Sequence, residues 1–162
     1  MVEFTSQSIS EPSLKRLEQV LELWVGTPYR AGQQMPGVAC DCRSFVLAVL
    51  DSLYGKQTDV ELLPEDASLH QPEVSRSFLR KMARYWNVQK VEDRVLEPGD
   101  LIISAYPGAG PTHVMISGRW PWIYHATKTS GVRKTGFTLD GLEFYGHYRL
   151  PHKESWALPH LS

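Results

Sequence analysis

The periodicity of the chain switches once, and that switch limits the folds open to it. Before about residue 86, apolar residues return at three- and four-residue intervals, as an amphipathic helix requires. From residue 88 they gather into short runs broken by Gly and Pro, the pattern of strands and turns. Helices first and strands second predict an α+β fold rather than a doubly wound sheet. A length of 162 residues fits one domain.

Residues 11 to 25 read as a helix, with Pro12 in its first turn and Leu14, Leu17, Val20, Leu21 and Trp24 on one face. Gly26 ends it, and Thr27-Pro28 forces an extended exit. Residues 29 to 40 form a loop rich in Gly, Gln and Pro. A second helix is expected over residues 42 to 54, with Asp41 as its cap, Gly55 as its stop, and Phe45, Val46, Val49, Leu50 and Leu53 as its buried stripe. A polar loop spans residues 55 to 71, and a third helix covers 72 to 85. Strands are expected at 101 to 104, 112 to 117, 122 to 127, 131 to 135 and 142 to 150, completing an antiparallel meander. Residues 1 to 150 then form the domain. Residues 151 to 162 read as a C-terminal tail, in which Trp156-Ala157-Leu158 is either a docking peptide or a disordered end.

The bulk properties exclude several classes of function. A formal net charge of −1 offers no electrostatic basis for binding nucleic acid or an anionic membrane. No apolar run approaches the roughly 20 residues of a membrane span. Met1 to Ser10 lacks the basic and apolar segments of a secretory signal, so synthesis in the cytoplasm is expected. The two cysteines, Cys40 and Cys42, are too close for a stabilising disulfide. Two free thiols fit a reducing site of synthesis.

Cys42 stands where the loop becomes a helix, in the positive end of the peptide dipoles, which favours thiolate over thiol. Its thiol is therefore expected to ionise below the ordinary value of about 8.5. The plainer alternative is a small buried hydrophobe, a common fate for free cysteine. His113 and His125 each sit inside an apolar strand, unlike His70, His147, His152 and His160, whose polar or terminal surroundings read as surface. A buried imidazole needs a hydrogen-bond partner, and on adjacent strands one ring can orient the other. The alternative is two independent core histidines. A thiolate, an imidazole and a polar partner for that imidazole are the minimum kit for cysteine nucleophilic catalysis.

Five short motifs, in order, resemble the NlpC-type papain-like cysteine peptidases, which cut bacterial cell-wall peptides. They are Gly26-Thr27-Pro28-Tyr29, Asp41-Cys42, Pro98-Gly99-Asp100-Leu101-Ile102, His113-Val114-Met115-Ile116 and Ile123-Tyr124-His125-Ala126. The resemblance runs from about residue 14 to 148. It implies a papain-like fold with the nucleophile at a helix start packed on an antiparallel sheet. Cys42 would be the nucleophile, His113 the general base, and His125 the residue that orients His113. Tyr29 would lie near the nucleophile, and backbone N–H groups at the helix start would form part of an oxyanion hole. The implied substrate is a peptidoglycan stem peptide, cut between a side-chain-linked D-glutamate and the next diamino acid, with Asp41 pairing its free amino end. No cofactor and no metal are implied.

The chain departs from the family in two places. Members commonly carry Ser-Gly after the cysteine, where this chain has Arg43-Ser44. A serine there helps hold substrate in many members; an arginine offers a carboxylate a forked partner, or narrows the pocket. Leu63-Pro64-Glu65-Asp66 is acidic where members often have a basic or hydroxyl residue after the proline. Cys40 has no family role, although the Cys-Asp-Cys run resembles variants encoded beside phage tail genes. Phage tail proteins are thus expected partners, with delivery in a virion. Three other readings stay open: a zinc site built from Cys40, Cys42, His113 and His125; a non-enzymatic tail-tip or assembly component; and an amidase or acyltransferase on the same scaffold.

Overall fold

A computed structural model describes residues 2–5, 9–56, 72–108, 111–139 and 141–158. In chain order the elements are β1 (Glu3–Phe4), α1 (Glu11–Trp24), β2 (Gln34–Met35), β3 (Ala39–Cys40), α2 (Cys42–Tyr54) and α3 (Pro72–Trp86). There follow β4 (Gln89–Val91), β5 (Val95–Leu96), β6 (Leu101–Ala105), β7 (Pro111–Ser117), β8 (Trp122–Thr127), β9 (Gly131–Gly136) and β10 (Glu143–Arg149). A 3₁₀ turn at Lys153–Ala157 comes last. The Leu63–Asp66 segment, His70 and His160 lie outside the described residues. Among the described residues no helix is long and apolar enough to cross a membrane.

The three helices pack on a six-stranded antiparallel sheet of order β4-β10-β6-β7-β8-β9. The expected meander holds for β6 through β9. The last strand departs from it: β10 returns across the sheet to lie between β4 and β6, pairing His147 with Ile102 and with Val91. This placement closes the inner edge of β6 and leaves only the short β4 at that side of the sheet.

Side-chain alternation explains why the central strands read as unbroken apolar runs. Leu101, Ile103, Val114, Ile116, Tyr124 and Ala126 join the main core with α1, α2 and α3. The residues between them, Ile102, Met115 and Ile123, join Leu96 in a second cluster on the opposite face, covered by Phe4, Phe137 and Phe144. A strand buried on both faces has no polar side to show.

Residues 151 to 157 are not a loose end. Trp156 is fully buried and stacks edge-on against Tyr54 at 5.9 Å, while the Tyr54 hydroxyl donates to the Pro151 carbonyl at 2.6 Å. Gly99 (φ +91°) has no room for a Cβ because the Trp156 ring lies against it. An indole sealed inside its own core is not a docking peptide, and burial of its large apolar surface ties the segment to the domain.

Candidate active site

The start of α2 is fixed by its own first residues. Asp41 is an extended N-cap whose Oδ1 accepts the N–H groups of Arg43 and Ser44 at 2.9 and 2.8 Å. Its Oδ2 accepts from the Gly32 N–H at 2.8 Å. The Ser44 hydroxyl accepts the Asp41 N–H at 2.8 Å and donates to the Gln33 carbonyl, completing a capping box. Asp41 and Ser44 were expected beside substrate. Both are buried instead, with their polar atoms committed to the cap and the loop, and in this conformation neither is presented to a ligand.

Tyr29 reaches the same place along a strap of extended chain. Gly26 and Thr27 bond to Val132 at the start of β9, and a Cβ at Gly131 would strike the Thr27 carbonyl. Beyond Pro28, Cys40 donates its N–H to the Pro28 carbonyl and Arg30 donates to the Cys40 carbonyl. Cys40 is therefore a core residue with its backbone stitched to the strap, and burial, with Asp41 and Cys42 adding to it, pushes its thiol up to about 12. The Tyr29 hydroxyl is buried without a hydrogen-bond partner. Burial raises its pKa first, with the Cys42 and Asp41 side chains adding to the rise, which places the ring beside the helix start and keeps the hydroxyl a donor.

His113 on β7 and His125 on β8 meet directly. His113 Nε2 lies 2.9 Å from His125 Nδ1, with the rings tilted edge to face. The two strands pair at Ile116–Tyr124 and Ser117–Ile123, short of the histidines, so the ring-to-ring bond spans the end where the ladder stops. Cys42, Arg43, His113 and Val114 line one small pocket, roofed by Phe78 and Leu79 of α3. Among the described residues no three His, Cys, Asp or Glu side chains converge to hold a metal, so Cys40, Cys42, His113 and His125 form no zinc cage.

The electrostatics of Cys42 differ from the expectation. The side chain is 1% exposed, and burial pushes its thiol up to about 11. Arg43 pulls the value down and Asp41 pushes it up, while the N–H groups of Val114 and of Cys42 itself favour the thiolate. Desolvation under the α3 roof outweighs the helix-start field. Iodoacetamide is therefore expected to label Cys42 slowly at neutral pH, with the rate rising toward pH 11. Phe78→Ala, by thinning the roof, is expected to speed labelling at pH 7. A labelling midpoint near about 8.5, the unperturbed thiol value, would show that the roof does not cover the sulfur.

Arg43 was expected to meet a substrate carboxylate or to narrow the pocket, and His147 to lie at the surface. Arg43 is 6% exposed, yet none of its three guanidinium nitrogens has a hydrogen-bond partner. His147, read as surface, is fully buried, with its Nδ1 2.8 Å from Asp100 Oδ2. Asp100 also accepts from Arg149 Nε and Nη2 at 3.1 and 2.9 Å, and neighbouring Glu97 accepts from Lys153 at 3.0 Å. The Pro98-Gly99-Asp100 turn thus anchors β10 and the final 3₁₀ turn rather than the catalytic pocket. The turn itself is one of the five sequence motifs, but nothing local indicated that its carboxylate would meet His147 and Arg149.

No family model matches the sequence, and no curated protein matches it. Solved structures do. The NlpC/p60 domain of the peptidoglycan hydrolase SagA superposes with a TM-score of 0.51 at 20% identity, over 81% of this chain and 95% of that one. NlpC2 from Trichomonas vaginalis gives 0.57 at 16% identity, over 89% of this chain and 50% of that one. The peptidoglycan hydrolase RipB from Mycobacterium tuberculosis gives 0.53 at 15% identity, over 86% and 66%. The chain thus spans nearly all of the SagA domain but only half of NlpC2. Three helices on a six-stranded antiparallel sheet, matched over most of the chain, give this protein the papain-like fold of the NlpC/p60 domains.

Proposed function

We propose that the protein is a cysteine peptidase that hydrolyses peptidoglycan stem peptides at the bond between a side-chain-linked D-glutamate and the following diamino acid. The observation that carries this reading is the His113–His125 bond beside a helix-start cysteine in an NlpC/p60 fold. With its Nε2 proton donated to His125 Nδ1, His113 has Nδ1 as its basic nitrogen. His113 takes the Cys42 proton, and the sulfur attacks the scissile carbonyl.

The oxyanion that forms needs donors. The N–H groups of Arg43 and Ser44 are spent on Asp41, so the Cys42 N–H and the unpartnered Tyr29 hydroxyl are the groups left to supply them. The His113 imidazolium then protonates the leaving amine, and water, deprotonated by His113, cleaves the thioester. Asp41 and Ser44 act here as positioning residues that hold the helix start. Phe78 and Leu79 of α3 line the same pocket and would border a bound peptide.

The test is digestion of a defined L-Ala-γ-D-Glu-diamino acid tripeptide with mass-spectrometric identification of the products. A dipeptide and a free diamino acid, absent with Cys42→Ala, are expected. Cleavage elsewhere moves the bond; no turnover above Cys42→Ala removes the peptidase reading; transfer to an added amine instead of water makes the protein an acyltransferase.

A further inference from the structure

The least comfortable group in the molecule is the Arg43 guanidinium. Its Nε, Nη1 and Nη2 are all buried and all unpartnered, and the side chain lines the pocket that holds Cys42 and His113. The acid nearest in sequence does not relieve it, because both Asp41 oxygens are occupied by backbone N–H groups. A charge taken out of water is tolerated only with a partner, and a buried cation without one strains the free protein. Strain of this kind gathers where a ligand will relieve it. The unmet donors form a planar fork, whose best complement is a carboxylate bound through both oxygens.

We infer that Arg43 is a specificity-determining receptor for a substrate carboxylate, borne on a residue flanking the bond that Cys42 attacks. The inference rests on the peptidase reading for the identity of the substrate, though not for the chemistry of the receptor. Two sources fit: the free α-carboxylate of the side-chain-linked glutamate on the acyl side, and a carboxylate of the diamino acid on the amine side. The phenyl ring of Phe78 and the Leu79 side chain roof the same pocket, so the ion pair would form away from water. An amide in place of the carboxylate would leave the guanidinium buried and unmet.

The experiment has two independent arms. In the first, titration calorimetry measures binding of the tripeptide, of its acyl-side amide and of its amine-side amide to Cys42→Ala and to Cys42→Ala/Arg43→Met. One of the two amides is expected to bind about 10- to 100-fold more weakly than the parent, the range of a hydrogen-bonded charged pair. Arg43→Met should erase that difference, and the affected amide identifies the source. In the second arm, iodoacetate and iodoacetamide alkylate Cys42 at one fixed pH. The iodoacetate-to-iodoacetamide rate ratio is expected to fall at least about tenfold in Arg43→Met, as loss of a paired cation predicts. Because the arginine is unpaired in the free protein, Arg43→Met should also raise Tm by roughly 3 °C or more, whereas loss of a structural arginine would lower it.

Equal affinity for all three peptides together with an unchanged alkylation ratio overturns the inference. So does a fall in Tm with carboxylate discrimination intact. A collapsed alkylation ratio with no tripeptide binding keeps the receptor and removes the stem peptide as its substrate.

Discussion

Alanine at His113 is expected to lower kcat/KM for stem-peptide hydrolysis by about 10⁴-fold, the upper range for loss of a general acid–base group. The size follows from the state of the sulfur. Burial holds the Cys42 thiol up to about 11, so at neutral pH it is protonated and depends on His113 to remove the proton. Without the imidazole neither attack on the carbonyl nor protonation of the leaving amine has a proton carrier. His125→Ala is expected to cost about 10²-fold, because it leaves the base in place but frees its ring to turn and to adopt the wrong tautomer. His125→Asn, which keeps an acceptor near His113 Nε2, should recover part of that loss. Steady-state kinetics on the tripeptide, with circular dichroism to confirm folding, measures all three. A His125→Ala enzyme as fast as wild type would mean that the ring-to-ring bond is structural only.

The second large effect concerns stability. Asp100→Asn is expected to destabilise the protein by about 3–5 kcal/mol, the range for removing one member of a buried ion network. Asp100 is fully buried and meets His147 and Arg149 directly, with Lys153 close by through Glu97. Burial alone would raise its pKa; the His147 and Arg149 hydrogen bonds and the Lys153 charge outweigh it, and the carboxyl is held below its ordinary value. A depressed carboxylate stabilises the fold above its unfolded pKa, about 3.9, and the contribution is lost as pH falls through the lower folded value. Urea unfolding should therefore show a wild-type advantage over Asp100→Asn that is full at pH 7 and shrinks in strong acid. An advantage independent of pH would assign the loss to packing instead.

The features legible in the sequence were those written in local pattern. Gly26 and Gly55 stop α1 and α2 where the apolar stripes end, and Asp41 caps α2 through a bond to an N–H three residues on. The histidine pair was legible because both residues interrupt apolar runs on strands that proved adjacent. What stayed hidden depends on distant contacts. Arg43 reads as a partner for a substrate carboxylate, but its burial without a hydrogen-bond partner, in a pocket that Phe78 and Leu79 of α3 also line, depends on contacts that no local pattern records. His147 reads as surface until the strand that carries it turns back across the sheet and meets Asp100. Trp156 reads as part of a frayed end until Gly99 and Tyr54 supply its niche. The helix-start argument for an acidic thiol was sound locally, but it omitted the desolvation that a neighbouring helix imposes.

The seating of Trp156 also orders events in time. The 3₁₀ turn that carries it packs on α1 and α2, so elements from opposite ends of the described chain are neighbours in the core. During synthesis from the N-terminus, α1, α2 and the first strands emerge while the indole that fills their shared hollow is still untranslated. Contacts between such distant segments form slowly, because the chain between them must first be ordered. The packing of α1 and α2, and with it the helix that carries Cys42, is therefore completed only after the segment bearing Trp156 has been made.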